Sequence, residues 1–164
     1  MKRLILLALL PLACAPQKPR GVRVGAASSL RDLLDVGSLM LQDSGIPVST
    51  SWSFEASSTL SRQVEAGGRF DVLLAADADS VDRLGAHIVR SSRRVFLTNR
   101  LALLGPEGTA GLDGIPGEAK IAIAGPEVPA GKYWRQYLGG AGRLKAFEGR
   151  LVIAENVRAA LALF

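Results

Sequence analysis

Four short runs of small or hydroxyl residues, each set between an apolar stretch and an amphipathic one, carry the chemistry legible in this sequence. They are Ala26-Ala27-Ser28-Ser29 before Leu30, Glu55-Ala56-Ser57-Ser58 before Leu60, Val128-Pro129-Ala130-Gly131 before Tyr133, and Glu155-Asn156-Val157 before Ala159. A strand that ends in such a run and turns into a helix leaves the first helical N–H groups without carbonyl partners, aimed at whatever lies in front of them. Two of the runs add serine hydroxyls. If the four helix starts converge, they form a cage of neutral donors for a small oxyanion. Neutral donors suit reversible capture, because a buried cation costs desolvation unless it is paired.

The elements that must position these junctions alternate in type. Val22 to Ala26 reads as a buried strand, and Leu30, Leu33, Leu34, Gly37 and Leu41 mark one face of the helix after it. Pro47 opens a second strand through Val48, Thr50 and Trp52, and Leu60 and Val64 give the next helix its inner face. Phe70 to Ala76 reads as a strand, Asp79 to Leu84 as a short helix and Arg100 to Leu104 as another strand. A glycine- and proline-rich connection spans Gly105 to Gly117; strand Lys120 to Ala124, helix Gly131 to Leu138, strand Leu151 to Ile153 and a helix from Val157 follow. This alternation predicts an α/β chain with right-handed crossovers in a mostly parallel sheet. Ligands of such sheets bind beyond the carboxyl ends of the strands, where all four junctions fall.

Met1-Lys2-Arg3 followed by the apolar run Leu4 to Ala13 has the charged start, short hydrophobic core and small-residue exit of a secretory signal. The run is too short to span a bilayer as a helix. Cys14, the only cysteine, stands directly after Ala13, where a bacterial lipoprotein signal places its lipidated cysteine. Residues 1–13 are therefore expected to be a leader and residues 14–20 a tether; no disulfide can form within the chain. Without Lys2 and Arg3 the formal charge falls from +5 to +3. That mild excess is no argument for nucleic acid: the cluster of Arg90, Arg93, Arg94 and Arg100 has no basic run of binding-tract length and reads as a solvated face.

With these blocks assembled, the sequence resembles the periplasmic molybdate-binding proteins of ABC import systems from about Val22 to Phe164. The resemblance rests on Ala27-Ser28-Ser29-Leu30, on Ala56-Ser57-Ser58-Thr59-Leu60 through Gly67, and on Phe70-Asp71-Val72 through Ala75-Ala76-Asp77. It continues through Gly125-Pro126-Glu127-Val128-Pro129-Ala130-Gly131 and Asn156-Val157-Arg158-Ala159-Ala160-Leu161. It implies a two-lobed periplasmic-binding-protein fold of type II-like form, with residues 21–97 in the first lobe and 98–164 in the second. It further implies molybdate or tungstate as ligand, no cofactor, an ABC permease in the inner membrane as partner, a monomer, and a periplasmic place. Carried over by motif, the ligand-binding residues are Ser29, with Ser28 as its neighbouring candidate, Ser57, and the backbone N–H groups of Ala130 and Val157. A tyrosine that family members use lies in a later segment. The apolar helical pattern is still running at Phe164 without a stop signal, so the second lobe and the return to the first are expected to be incomplete.

Blander roles compete for the same residues. Ser29 with Asp32 three positions on fits a capping box; Asp71, Asp77, Asp79 and Asp82 fit caps, turns and surface; Trp52 and Trp134 fit packing. His87, the only histidine, has no partner at metal-ligand spacing. Gly125 to Lys132 is superficially similar to a phosphate loop, but five residues separate its glycines, Tyr133 follows the lysine, and two prolines remove N–H donors. Sulfate or phosphate is the alternative ligand. The alternative class, a secreted serine hydrolase acting through Ser29 or Ser57, lacks a Gly-x-Ser-x-Gly elbow.

Overall fold

A computed structural model describes residues 21–45 and 49–164. The leader, Cys14, the tether, and Pro47 and Val48 of the expected second strand lie outside the described residues, as does the side chain of Leu41.

The described chain builds two parallel sheets. The first has the order β2-β1-β3, from β1 (Val22–Ala27), β2 (Thr50–Glu55) and β3 (Val72–Leu74). In register, Val24 lies between Trp52 and Val72, and Ala26 between Phe54 and Leu74. β1 is the central strand and is buried from Val24 to Ala27, as a near-continuous apolar run requires. Helix α2 (Ser57–Glu65) packs on it through Leu60, which is fully buried. Gly25 permits that approach: a Cβ there would stand 3.2 Å from each of Leu60, Phe70 and Leu73. Burying a leucine contributes about 1.5–3 kcal/mol, so this contact fixes where the start of α2 points. α1 (Arg31–Asp43) follows β1, and the Arg31 guanidinium stacks over Phe54 at 4.4 Å. Leu33, expected on the inner face of α1, is instead 52% exposed, along with Val36, Leu39 and Met40. Little of the three-stranded sheet therefore lies against this apolar stripe.

The second sheet has two strands, β4 (Ile121–Ala124) and β5 (Leu151–Ala154), paired from Ile121↔Leu151 to Ala124↔Ala154. α4 (Pro129–Gly140) packs on it through Trp134 and Leu138. Both meet Phe147 of α5 (Leu144–Glu148), a short helix that the residue pattern did not disclose. The remaining α-helices among the described residues are α3 (Ala78–Asp82) and α6 (Val157–Ala162).

The expected strand from Arg100 to Leu104 does not form. The segment carries no helix or strand, and Leu101, Leu103 and Leu104 are exposed. Apolar alternation makes a segment able to be a strand, but its backbone groups need a partner edge, and no strand among the described residues pairs with it. The strand expected from Phe70 to Ala76 is likewise trimmed to Val72–Leu74, with Asp71 N–H still bonding Arg23 C=O at 2.8 Å.

Candidate functional site

All four junctions sit where expected, at the carboxyl ends of β1, β2, β4 and β5, and line one cavity of about 650 Å3. Ser28, Ser29, Glu55, Ala56, Ser57 and Ala76 face it from the first sheet, and Val128, Pro129, Ala130 and Val157 from the second. The space far exceeds what one small anion needs, so an anion among the junctions fills only one end. Farther along, the wall is apolar, with Leu101, Leu103, Ile115, Leu161 and Phe164.

At the first junction the chain enters a 3-10 turn, Ser28–Leu30, with Ala27 as the residue before the helix and no side-chain cap. Ser29 therefore does not serve as the cap of a capping box. Ser28 is buried and Ser29 exposed at the cavity wall, and both remain candidates for the first hydroxyl. The second junction is more tightly held. Ser57 is 2% exposed, and its Oγ accepts a hydrogen bond from Ala76 N–H at 2.8 Å. With that lone pair occupied by a backbone donor, the hydroxyl proton is free to be given to an acceptor in the cavity. Ser61, one turn along α2 and fully buried, donates its hydroxyl toward Ser57 C=O at 3.0 Å and Ser80 C=O at 2.7 Å, tying α2 to α3. Ser58 Oγ is buried without a partner.

At the third junction Pro129 occupies the first helical position and has no N–H to lose. Lys132 N–H makes the first bond back, to Val128 C=O at 2.9 Å, which leaves the amides of Ala130 and Gly131 ahead of the ladder. Gly131 is obligatory here, because a Cβ would overlap the carbonyl oxygens of Ala124 and Gly125. At the fourth junction Asn156 Oδ1 accepts from both Arg158 N–H and Ala159 N–H at 3.0 Å. Of the first-turn amides, that cap leaves Val157's own.

The charged residues along the cavity are Glu55, Arg100 and Lys120. Arg100, read from sequence as part of a solvated face, thus also reaches the cavity wall; it is exposed, as are Arg90, Arg93 and Arg94. His87 is exposed in a 3-10 turn and is not among the residues lining this cavity, so none of the three cavity serines has it as a base. The four aspartates take structural roles: Asp71 pairs with Arg23, Asp77 caps α3 through Ser80 N–H, Asp82 pairs with Arg93, and Asp79 pairs with Lys132 of α4. That last contact holds the Lys132 ammonium above its ordinary pKa. Burial pushes the neighbouring Tyr133 hydroxyl up, with Asp77 and Asp79 adding to the shift.

Sequence reasoning missed Ala76 as a partner of Ser57 and Ser61 as a tie between helices. A signal for the second was present: Ser57 and Ser61 stand four residues apart on the face that carries Leu60, where a hydroxyl must find a carbonyl.

Residues 22–164 match the model of a family described as bacterial extracellular solute-binding protein. The chain is 32% identical over 158 residues to the molybdate-binding protein ModA of Escherichia coli (strain K12), covering 87% of this chain and 60% of that protein. It is 29% identical over 154 residues to the ModA of Haemophilus influenzae, covering 87% of this chain and 61% of that one. It thus spans less than two thirds of the length of these relatives. Among solved structures, the periplasmic molybdate-binding protein of Azotobacter vinelandii superposes with a TM-score of 0.57 at 21% identity, over 86% of this chain and 65% of that one; the likeness speaks to the two-lobed fold.

Proposed function

The chain belongs to the bacterial extracellular solute-binding protein family, and from that premise we propose that it captures molybdate or tungstate outside the cytoplasm and delivers it to an ABC permease in the inner membrane. One observation carries the reading: four helix starts from two sheets line a single cavity, and the Ser57 hydroxyl there already accepts from Ala76 and has its proton to give. The anion is held by Ser29 or its neighbour Ser28, by Ser57, and by the amides of Ala130 and Val157. No cofactor and no chelating side chain takes part, and the function is binding, not catalysis. The similarity to molybdate-binding relatives supports the choice of oxyanion.

In the same reading, residues 21–97 make the first lobe and 98–164 belong to the second, with the division in a run that carries neither helix nor strand. Residues 1–13 direct export to the periplasm, and a lipidated Cys14 with the tether to residue 20 holds a monomer at the membrane near its permease.

Calorimetric titration of the full chain with molybdate, tungstate, sulfate and phosphate, beside an ester-hydrolysis assay, tests the function. Molybdate and tungstate should bind with higher affinity than sulfate or phosphate, and no ester should turn over. Hydrolysis that is lost with Ser57→Ala would overturn the reading in favour of an enzyme, and tighter sulfate or phosphate binding would reassign the ligand.

A further inference from the structure

Six ion pairs join side chains of the described residues, and four of them stay on one side of the cavity: Arg23–Asp71, Arg83–Glu65 and Arg93–Asp82 around the first sheet, and Arg143–Asp113 around the second. The other two cross it. Arg158 of α6 reaches Asp32 of α1 at 2.7 Å, and Lys132 of α4 meets Asp79 of α3. Each crossing pair is seated beside donors of the proposed anion site. Asp32 lies three residues after Ser29 and Arg158 directly after Val157, whereas Lys132 lies two residues after Ala130. Asp79 is joined to Ser57 more indirectly, because Ser61 binds Ser57 C=O and the carbonyl of Ser80, the residue after Asp79. The apolar seam at this end of the cavity is narrow, consisting of Ala56 packed with Ala124 and Val128, flanked by Ala130 and Val157. Beside these small apolar residues, the two crossing ion pairs add further contacts between the sides.

We propose that the Asp32–Arg158 and Asp79–Lys132 pairs form a two-point clamp across the cleft, which aligns the donors of the two sheets and sets how fast a bound oxyanion leaves. The four side chains are positioning residues: they tie α1 to α6 and α3 to α4, the helices beside the cavity donors. The ligand named here rests on the oxyanion reading above, whereas the clamp rests on the two ion pairs themselves and is measured without ligand. Both pairs are partly exposed, so each contributes modestly and is weakened by salt. Their effect belongs on the opening rate and not on overall stability.

The test reverses and then exchanges the charges in the full chain. Spin labels at Gln63→Cys and Gln136→Cys, in a Cys14→Ser background, report the distance between the sheets without ligand. Stopped-flow tryptophan fluorescence reports molybdate release. Asp79→Lys and Arg158→Asp should each broaden the distance distribution toward longer values and speed release by about three- to tenfold. The exchanged pairs, Asp79→Lys with Lys132→Asp and Asp32→Arg with Arg158→Asp, should restore both. Single reversals that leave the distance distribution unchanged would overturn the clamp. If the parent binds no molybdate, the oxyanion reading falls while the distance measurement still decides the clamp.

Discussion

On the three-stranded side of the cavity the proposed donors are set by side chains, with Ser57 Oγ held by Ala76 N–H and Ser61 spanning two carbonyls, all within a buried helix start. On the two-stranded side they are main-chain amides, exposed by a proline that has no N–H and by an asparagine that takes two of its neighbours. The contrast separates two ways of making a donor. A hydroxyl is lost with its side chain, whereas an amide is lost only if the backbone moves. Substitutions should therefore act on the first side by residue type and on the second by volume and strain.

Gly131→Ala is the harshest way to break that comparison. The added methyl meets two backbone carbonyls that have no flexible atom to give way, and overpacking of this kind costs about 3 kcal/mol. The melting temperature should fall and molybdate binding should vanish with it, though no side chain of the proposed site has been touched. A melt equal to the parent's would show that the start of α4 is not pinned against β4.

Ser57→Ala comes next and sharpens the contrast. Removing one hydrogen bond to a charged ligand costs roughly 1.5–3 kcal/mol, or about ten- to a hundredfold in affinity. Calorimetry should show that loss. Asn156→Ala should cost about 1 kcal/mol of stability through the missing cap, read by urea titration, with a smaller loss of affinity because Val157 N–H remains. Ala130→Ser should be the mildest, within roughly 0.5 kcal/mol in either measurement. Equal losses of affinity at Ser57 and Ala130 would erase the distinction between side-chain and backbone donors.

Much of this was legible in the sequence because it is local. A buried strand, a run of small residues and an amphipathic helix are contiguous, so Ala27 to Leu30 and Glu55 to Leu60 disclosed both their elements and their place at the strand ends. The place of Ser57 at the start of α2, on the cavity wall, was legible for the same reason. What could not be read depends on residues far apart in the chain. Arg158 and Asp32 are 126 positions apart, and Lys132 and Asp79 are 53 apart; no helical spacing relates them. Arg100 to Leu104 failed from the opposite cause, since its pattern was strand-like but no strand among the described residues pairs with it. Ser29 shows a third limit. Its spacing to Asp32 satisfies a capping box, but the chain turns through a 3-10 segment first, and Asp32 is taken up by Arg158.

The two-stranded sheet has a temporal consequence as well. With one ladder between β4 and β5, and with Val152 and Ile153 open to solvent, few of its amides are shielded twice, and local opening costs less there than at the central strand β1. Deuterium should therefore enter the second sheet and the starts of α4 and α6 well before it enters β1. An anion that takes its hydrogen bonds from Ala130 and Val157 would slow exchange at those two amides, while the Ser57 hydroxyl, whose proton exchanges too quickly to follow, would leave no such record. Occupancy of the cavity would thus be written in exchange rates on one side of the molecule only.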